Sequence, residues 1–139
     1  MLIHLSIDQP MPSPDILPQQ VVAIQLKALQ DNDETNTGIS ITFNFAAPDN
    51  KAYTGPLDKF IQLVKNPVYA PLLNFKKCEV NKIHIEGDEA QQIVIITDQT
   101  GKKSAFLFSL SKQQNGPYQN CWMTDSVIRL AYEDKLVKA

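Results

Sequence analysis

The hydrophobic and polar residues of this chain follow two different periods, and the change between them falls near residue 75. Before that point, apolar residues recur at helical spacing over residues 16–31 and again over residues 56–65. After it, β-prone runs follow one another with no gap long enough for a helix. Because the helices precede the strands, we predict an α+β domain whose antiparallel sheet carries helices on one face. The predicted strands span residues 75–86, 89–98, 102–112 and 120–130.

The first predicted strand changes phase along its length. Cys78 and Val80 share one face, whereas Ile83 and Ile85 have the other parity. A slip of one residue between Val80 and Ile83 would keep all of them on one side, and such a slip is typical of a β-bulge. Since bulges bend strands, we predict a curved meander of four antiparallel strands.

The middle strands are apolar on both faces, at residues 93–96 and at residues 105–108. A single layer of helices covers only one face of a sheet, so the other face is left apolar and open. An exposed apolar sheet face is a candidate interface. The pattern therefore predicts a homodimer formed through the outer face of the sheet.

Residues 37–47 carry two conflicting signals. Strict alternation of apolar with polar residues favours a strand, with Ile39, Ile41 and Phe43 at every second position. Thr37, however, is a good helix cap, and Pro48 is a natural helix stop. On local pattern alone the strand is favoured.

Three stretches of the chain carry a resemblance to a known family. They are Gly38-Ile39 leading to Phe45-Ala46-Ala47-Pro48, then Thr54-Gly55-Pro56-Leu57 with Phe60 and Tyr69, and finally Cys121-Trp122-Met123-Thr124-Asp125. In this order, over residues 14–130, they resemble a small bacterial and plant family of unknown function with the nuclear transport factor 2-like, or cystatin-like, cone fold. The resemblance implies helix rather than strand for residues 37–47, and it brings no established activity.

Composition narrows the function classes. A length of 139 residues suits one domain, here residues 14–131, with an irregular arm at 1–13 and a charged tail at 132–139. The net charge of −2, with scattered lysines, disfavours nucleic-acid binding. No apolar run reaches membrane-spanning length. Two cysteines form no disulfide framework, and the first residues have no basic signal region, so we expect a cytoplasmic protein.

Cone folds of the resembled kind bind small molecules in the hollow between sheet and helices, and some are isomerases, dehydratases or hydrolases. Such an enzyme needs an acid or base with a shifted pKa in a dry pocket. Asp125 is the candidate base, with Tyr53 or Tyr69 as hydrogen-bond donor; a capping or ion-paired role for Asp125 is the simpler interpretation. The residues expected to line the pocket are Phe43, Phe60, Phe106 and Trp122.

The remaining reactive side chains favour structural roles. His84 shares its strand face with charged residues, which indicates a solvated histidine. Asp98 is a further weak candidate acid. Cys78 and Cys121 lie among apolar neighbours, as inert core thiols do. The two histidines do not lie at ligand spacing from the cysteines, so we expect no metal and no cofactor.

These observations lead to two hypotheses of different classes. The first is a non-enzymatic domain that binds a small apolar ligand or a protein partner and self-associates through its sheet. The alternative is a small enzyme of the isomerase or hydrolase type, in which Asp125 acts with a tyrosine hydroxyl inside a closed pocket.

Overall fold

A computed structural model describes residues 9–132 of the chain. The predicted arm at 1–13 and the predicted tail at 132–139 therefore fall largely outside the described residues. The helices are α1 (Pro18–Gln30), α2 (Thr37–Asn44), α3 (Pro48–Thr54) and α4 (Leu57–Val64), followed by a short 3₁₀ turn at Ala70–Leu72.

All strands of the described residues join one antiparallel sheet, so the predicted α+β class is confirmed. The order along the sheet is β1, β3, β4, β5, and β2 pairs with β3 beside β1. The strands are β1 (Lys77–Val80), β2 (His84–Glu86), β3 (Glu89–Thr97), β4 (Lys103–Lys112) and β5 (Trp122–Leu130).

The predicted slip in the first strand is confirmed by the register. Val80 pairs with Val94 and His84 pairs with Gln91, so the three residues 81–83 stand opposite only residues 92 and 93. The Gln92 amide donates a hydrogen bond to the Asn81 carbonyl oxygen at 2.9 Å. This interruption divides the first predicted strand into β1 and β2, which gives five strands instead of four and is compatible with the predicted curvature.

One face of the sheet, here called the covered face, packs against the helices. Its residues on β3 and β4 alternate along each strand and are almost fully buried. Because side chains on paired residues lie on the same side of a sheet, they form one layer that is apolar except for Gln92 and Ser104. The apolar residues of this layer are Ala90, Val94, Ile96, Phe106, Phe108 and Leu110.

The intervening residues of β3, β4 and β5 form the other face, here called the open face. Ile93 pairs with Leu107, which pairs with Ile128, and these three form one cross-strand row. A second row joins Ile95, Ala105 and Leu130. Among residues 9–132, the side chains of these two rows do not belong to the hydrophobic core that the helices cover, and Ile128 remains 50% exposed.

Helix α2 confirms the helical interpretation of its segment and corrects the local strand pattern. The backbone of Gly38 lies so close to α1 that a Cβ atom there would stand 1.9 Å from the Ala28 carbonyl oxygen. The helix begins after Asn36, and its free N–H groups are satisfied by two side chains of the preceding loop. Asp33 accepts from the Thr37 N–H at 3.0 Å, and Asn32 accepts from the Ile39 N–H at 3.1 Å.

Helix α3 was not predicted. Pro48 looked like a helix stop, but it occupies the first turn of α3, where its missing N–H costs nothing. The segment just before α3 pairs with the edge of β5. Thr124 N–H donates to the Phe45 carbonyl oxygen and Thr124 O accepts from the Ala47 N–H, both at 2.8 Å. This contact brings α3 to the side of the covered face.

Candidate functional site

A cavity of about 300 Å³ lies between the covered face and the helices, next to β5. Residues of all the helices and of the 3₁₀ turn contribute to it, together with one residue of β4 and a run on β5. Its walls are mostly apolar, which is typical of a small-molecule site. The apolar side chains around it include Leu29, Phe60, Leu63, Val64, Leu72, Phe108 and Val127.

The polar end of the cavity is built around Gln25 of α1, which is 1% exposed. Its Nε2 donates to the Thr42 carbonyl oxygen at 3.0 Å. Its Oε1 accepts from the Thr124 Oγ1 hydroxyl at 2.6 Å. The three residues come from α1, α2 and β5, so this amide joins the two helices to the sheet edge. Buried polar groups of this kind hold a defined geometry because each lost partner is costly.

Asn50 of α3 extends this polar end toward the surface. Its Nδ2 donates to the Thr124 carbonyl oxygen at 3.1 Å. The Thr54 hydroxyl in turn donates to the Asn50 carbonyl oxygen at 2.8 Å. Both residues line the cavity. The position of α3, which the sequence did not reveal, therefore supplies part of the site.

The two candidate tyrosines both line the cavity but in different ways. The Tyr69 hydroxyl donates to the Val127 carbonyl oxygen at 2.9 Å, and its ring lies 6.3 Å from that of Phe106. Tyr53 is 85% exposed and stands at the mouth. Tyr69 thus ties the 3₁₀ region to the edge of β5, while the Tyr53 hydroxyl faces water.

Asp125 lies at the rim of the same cavity, but its carboxylate points elsewhere. The register of β5 shifts here: Ser126 pairs with Ser109 whereas Thr124 pairs with Leu110, so Asp125 is the extra residue. Its Oδ1 accepts from the Ser111 hydroxyl at 2.9 Å, and Ser111 belongs to the open face. Although the residue is exposed overall, partial burial of the carboxyl group raises the pKa of Asp125, and the negative charges of Glu89 and Asp49 add to this.

The residues expected to line the pocket separate into two groups. Phe60 lines the cavity, and the Phe43 ring packs behind it with a centroid distance of 4.9 Å. Phe106 and Trp122 are buried in the hydrophobic core and do not reach the cavity wall. The hollow is thus partly filled by aromatic side chains and partly open.

The remaining candidates occupy structural positions. His84 is exposed on the open face, with its Nε2 3.7 Å from a Glu86 carboxylate oxygen. Asp98 caps the β3–β4 turn, and its hydrogen bond from the Thr100 hydroxyl lowers its pKa. Burial raises the pKa of both Cys78 and Cys121, which disfavours the reactive thiolate. Over the described range 9–132, no group of three acidic, histidine or cysteine side chains is placed to hold a metal ion.

Gln25 was not identified as a site residue in the sequence analysis. The signal was present, since Gln25 stands four residues after Val21 and four before Leu29, in the middle of the apolar stripe. A polar residue at such a position is buried and needs partners. Asn50 and Thr124 had no comparable signal, because they reach the site only through the packing of α3 against β5.

Among residues 9–132, every helix is too short or too polar to cross a bilayer.

Comparison with known proteins identifies a family but no activity. No curated protein and no solved structure matches this chain. A family model does match residues 15–135, which is most of the chain. The chain therefore belongs to the family described as "Domain of unknown function (DUF4864)".

Proposed function

We propose that this domain binds a small, mostly apolar ligand in the cavity beside β5, without catalysing a reaction. The observation that carries this proposal is a cavity of about 300 Å³ with apolar walls and one polar end. An apolar cavity of about 150 Å³ accommodates benzene. A ligand about the size of naphthalene therefore suits this volume.

Two further proposals concern the wider setting of the domain. We propose that the family is a distant relative of the nuclear transport factor 2-like cone fold, because helices precede an interrupted antiparallel meander and roof one of its faces. We also propose a reducing, cytoplasmic location. The two thiols Cys78 and Cys121 are free, as is usual in that compartment.

We propose in addition that two copies associate through the open face. The rows Ile93–Leu107–Ile128 and Ile95–Ala105–Leu130 give this face an apolar centre on three adjacent strands. Lys77 and Lys103 lie at one end of the face, both beside Thr97. Glu86 and Glu89 form a pair at the opposite end.

The distribution of charge favours a second copy over another partner. If the second copy is turned end for end, the lysine end of each sheet meets the glutamate end of the other, and the apolar rows meet in the middle. Such a two-fold arrangement uses one self-complementary patch. Opposite charges at its two ends favour this orientation over the parallel one.

The alternative function, an isomerase or hydrolase centred on Asp125, has less support. Asp125, Tyr53 and Tyr69 do line one cavity, and the raised pKa of Asp125 suits a general base. Its carboxylate, however, accepts a hydrogen bond on the open face, and the Tyr69 hydroxyl already donates to Val127. A base acting in the cavity would first have to give up the Ser111 contact.

The ligand proposal is tested by filling the cavity from one wall. Leu63 and Ile61 are both half-buried on α4, but only Leu63 lines the cavity. We expect naphthalene to bind the unaltered protein in ligand-observed NMR titration, and Leu63→Trp to weaken that binding by at least about 10-fold because the indole occupies the same space. Ile61→Trp, the matched control, should bind as the unaltered protein does.

Two results would count against the proposal. One is equal weakening by the two tryptophan variants, which would mean that the probe does not enter this cavity. The other is absence of saturable naphthalene binding together with native mass spectra that contain no retained small molecule after purification from the natural host.

A further inference from the structure

We infer that the cavity selects an uncharged ligand that carries an amide or carbonyl group, and that it discriminates against carboxylates of the same shape. This inference rests on the proposed ligand-binding function and specifies the chemical class of the ligand. The juxtaposition that carries it is a buried primary amide, Gln25, at the end of an apolar cavity to which residues 9–132 contribute no cationic side chain.

The charges around the cavity disfavour an anion. Among residues 9–132, no lysine, arginine or histidine lines it, and its one charged side chain is Asp125 at the rim. Lys51 lies nearby on α3, but its Nζ donates to the Asn44 carbonyl oxygen at 3.2 Å and sits 5.1 Å from the centre of the Tyr118 ring. A carboxylate that entered this cavity would lose its water without gaining a cation, which is strongly unfavourable.

Gln25 offers a hydrogen-bond donor to the ligand. The Thr42 carbonyl oxygen sets the orientation of the Gln25 amide. Because this oxygen can only accept a hydrogen bond, the amide atom beside it is Nε2, the donor. A primary amide has two N–H groups, and within the described part of the chain only Thr42 accepts from this one. The second N–H belongs to a side chain that is 1% exposed and lines the cavity. A ligand oxygen would satisfy a buried donor that otherwise lacks a protein partner.

Two hydroxyls beside Gln25 offer acceptors and no further donors. The Thr124 hydroxyl donates to Gln25 Oε1, and the Thr42 hydroxyl donates to the Gly38 carbonyl oxygen at 2.9 Å. Each oxygen keeps lone pairs that can accept a hydrogen bond. The polar end therefore presents one N–H donor next to hydroxyl acceptors, which complements the C=O and N–H of a neutral amide. A carboxylate has no N–H for these acceptors and brings a charge.

Three probes of the same ring system test the inference: 2-naphthamide, the 2-naphthoate anion, and naphthalene. Their dissociation constants for the full chain are measured by NMR titration at neutral pH. We expect 2-naphthamide to bind at least about 10-fold more tightly than 2-naphthoate, because only the anion must be desolvated without a partner. We expect it to bind several-fold more tightly than naphthalene, because of the added hydrogen bond.

The variant Gln25→Met keeps the length of the side chain and removes its amide. It should abolish the preference for 2-naphthamide over naphthalene while naphthalene binding persists. Because this substitution leaves Thr124 and Thr42 with one partner fewer, its folding is checked by thermal denaturation. If it does not fold, the three-probe series on the unaltered protein still decides the question.

The outcomes separate the inference from the function on which it rests. Naphthalene binding that is sensitive to Leu63→Trp, with no advantage for the amide or with tighter binding of 2-naphthoate, would overturn the inference and leave the ligand-binding function standing. Failure of all three probes to bind would overturn the inference, and together with native mass spectra that contain no retained small molecule it would overturn the ligand-binding function as well.

Discussion

The two faces of the sheet have similar sequences and different surroundings. On β4, Phe106 and Phe108 of the covered face alternate with Ala105 and Leu107 of the open face. Phe106 is 0% exposed, because it lies inside the hydrophobic core, with the Tyr69 ring 6.3 Å and the Arg129 guanidinium 5.8 Å from its own ring. Leu107 is half-buried and does not pack against the described part of that core. An apolar strand pattern thus shows that both faces avoid water, but not what covers each of them.

The difference arises from connections made outside the strands. Gln25 and Tyr69 both attach helical residues to β5 from the covered side. The close approach of Gly38 to Ala28 lets α2 lie against α1 over the same face. On the open face, Met123 near the start of β5 packs against Ala47 and Cys121, and a second copy is the partner that we propose for the apolar rows.

The largest expected difference between the two faces is in the stability lost on truncating two neighbouring residues of β4, one from each face. We expect Phe106→Ala to lower the free energy of unfolding by about 3–5 kcal/mol, because it leaves a large cavity in the covered layer. Leu107→Ala should cost only about 1 kcal/mol within one subunit, because the side chain is already half-exposed there. Urea denaturation at equal protein concentration, low enough for the monomer to predominate, measures both values. Equal losses at the two positions would show that the open face is covered as completely as the other.

A charged side chain introduced on the open face should weaken self-association without altering the cavity on the covered face. We expect Leu107→Glu to weaken dimerisation by at least 10-fold, about 1.4 kcal/mol, because it places an unpaired carboxylate in the middle of an apolar row that the dimer would bury. Sedimentation velocity at micromolar concentrations measures the change. Gln62→Glu, at an exposed position of α4, makes the same change of charge and should have no effect. An unaltered protein that sediments as a monomer would contradict the proposed association.

The smallest expected effect is a change in folding stability at acid pH, and it arises at the start of helix α2. The pKa of Asp33 is lowered to about 2, chiefly by the hydrogen bond that its carboxylate accepts from the Thr37 N–H at the start of α2. Because the folded-state pKa lies below the ordinary value of 3.8, the stabilisation is present above about pH 4 and is lost as the pH falls toward 2. The stability difference between the unaltered protein and Asp33→Asn should therefore shrink over that range.

Urea denaturation at a series of pH values measures this difference. Glu34→Gln removes the same charge from the adjacent residue without touching the Thr37 contact, and it serves as the control. A difference between the unaltered protein and Asp33→Asn that stays constant from pH 4 to pH 2 would contradict the assigned role of Asp33.

The strands were more predictable than the helices, for reasons visible in particular residues. The change of parity between Val80 and Ile83 predicted the interruption of the first strand, since the side-chain period of a strand is strict. The alternation from Ile39 to Phe45 was misleading, because the segment becomes helical only when Gly38 packs against α1. Helix α3 was missed because Pro48 can end one helix or begin another, and only the surrounding chain decides which.

The site was less predictable than the fold. Parity along β5 placed Asp125 on the side of Val127, but the extra residue in the register separates the two: Val127 faces the cavity and the Asp125 carboxylate bonds to Ser111. A single slip of this kind moves a side chain across the sheet. Gln25 could have been found from its position in the apolar stripe, although its partners Thr42 and Thr124 could not.

By itself the sequence determined the order of helices before strands, the interruption of the first strand and the two apolar parities of the middle strands, because hydrophobic period and turn residues act over a few neighbouring positions. The tertiary structure alone decided which parity the helices cover, where the cavity opens, and which polar groups meet at its end. These depend on contacts between residues far apart in the chain, such as Gln25 with Thr124, whose energies no local pattern contains.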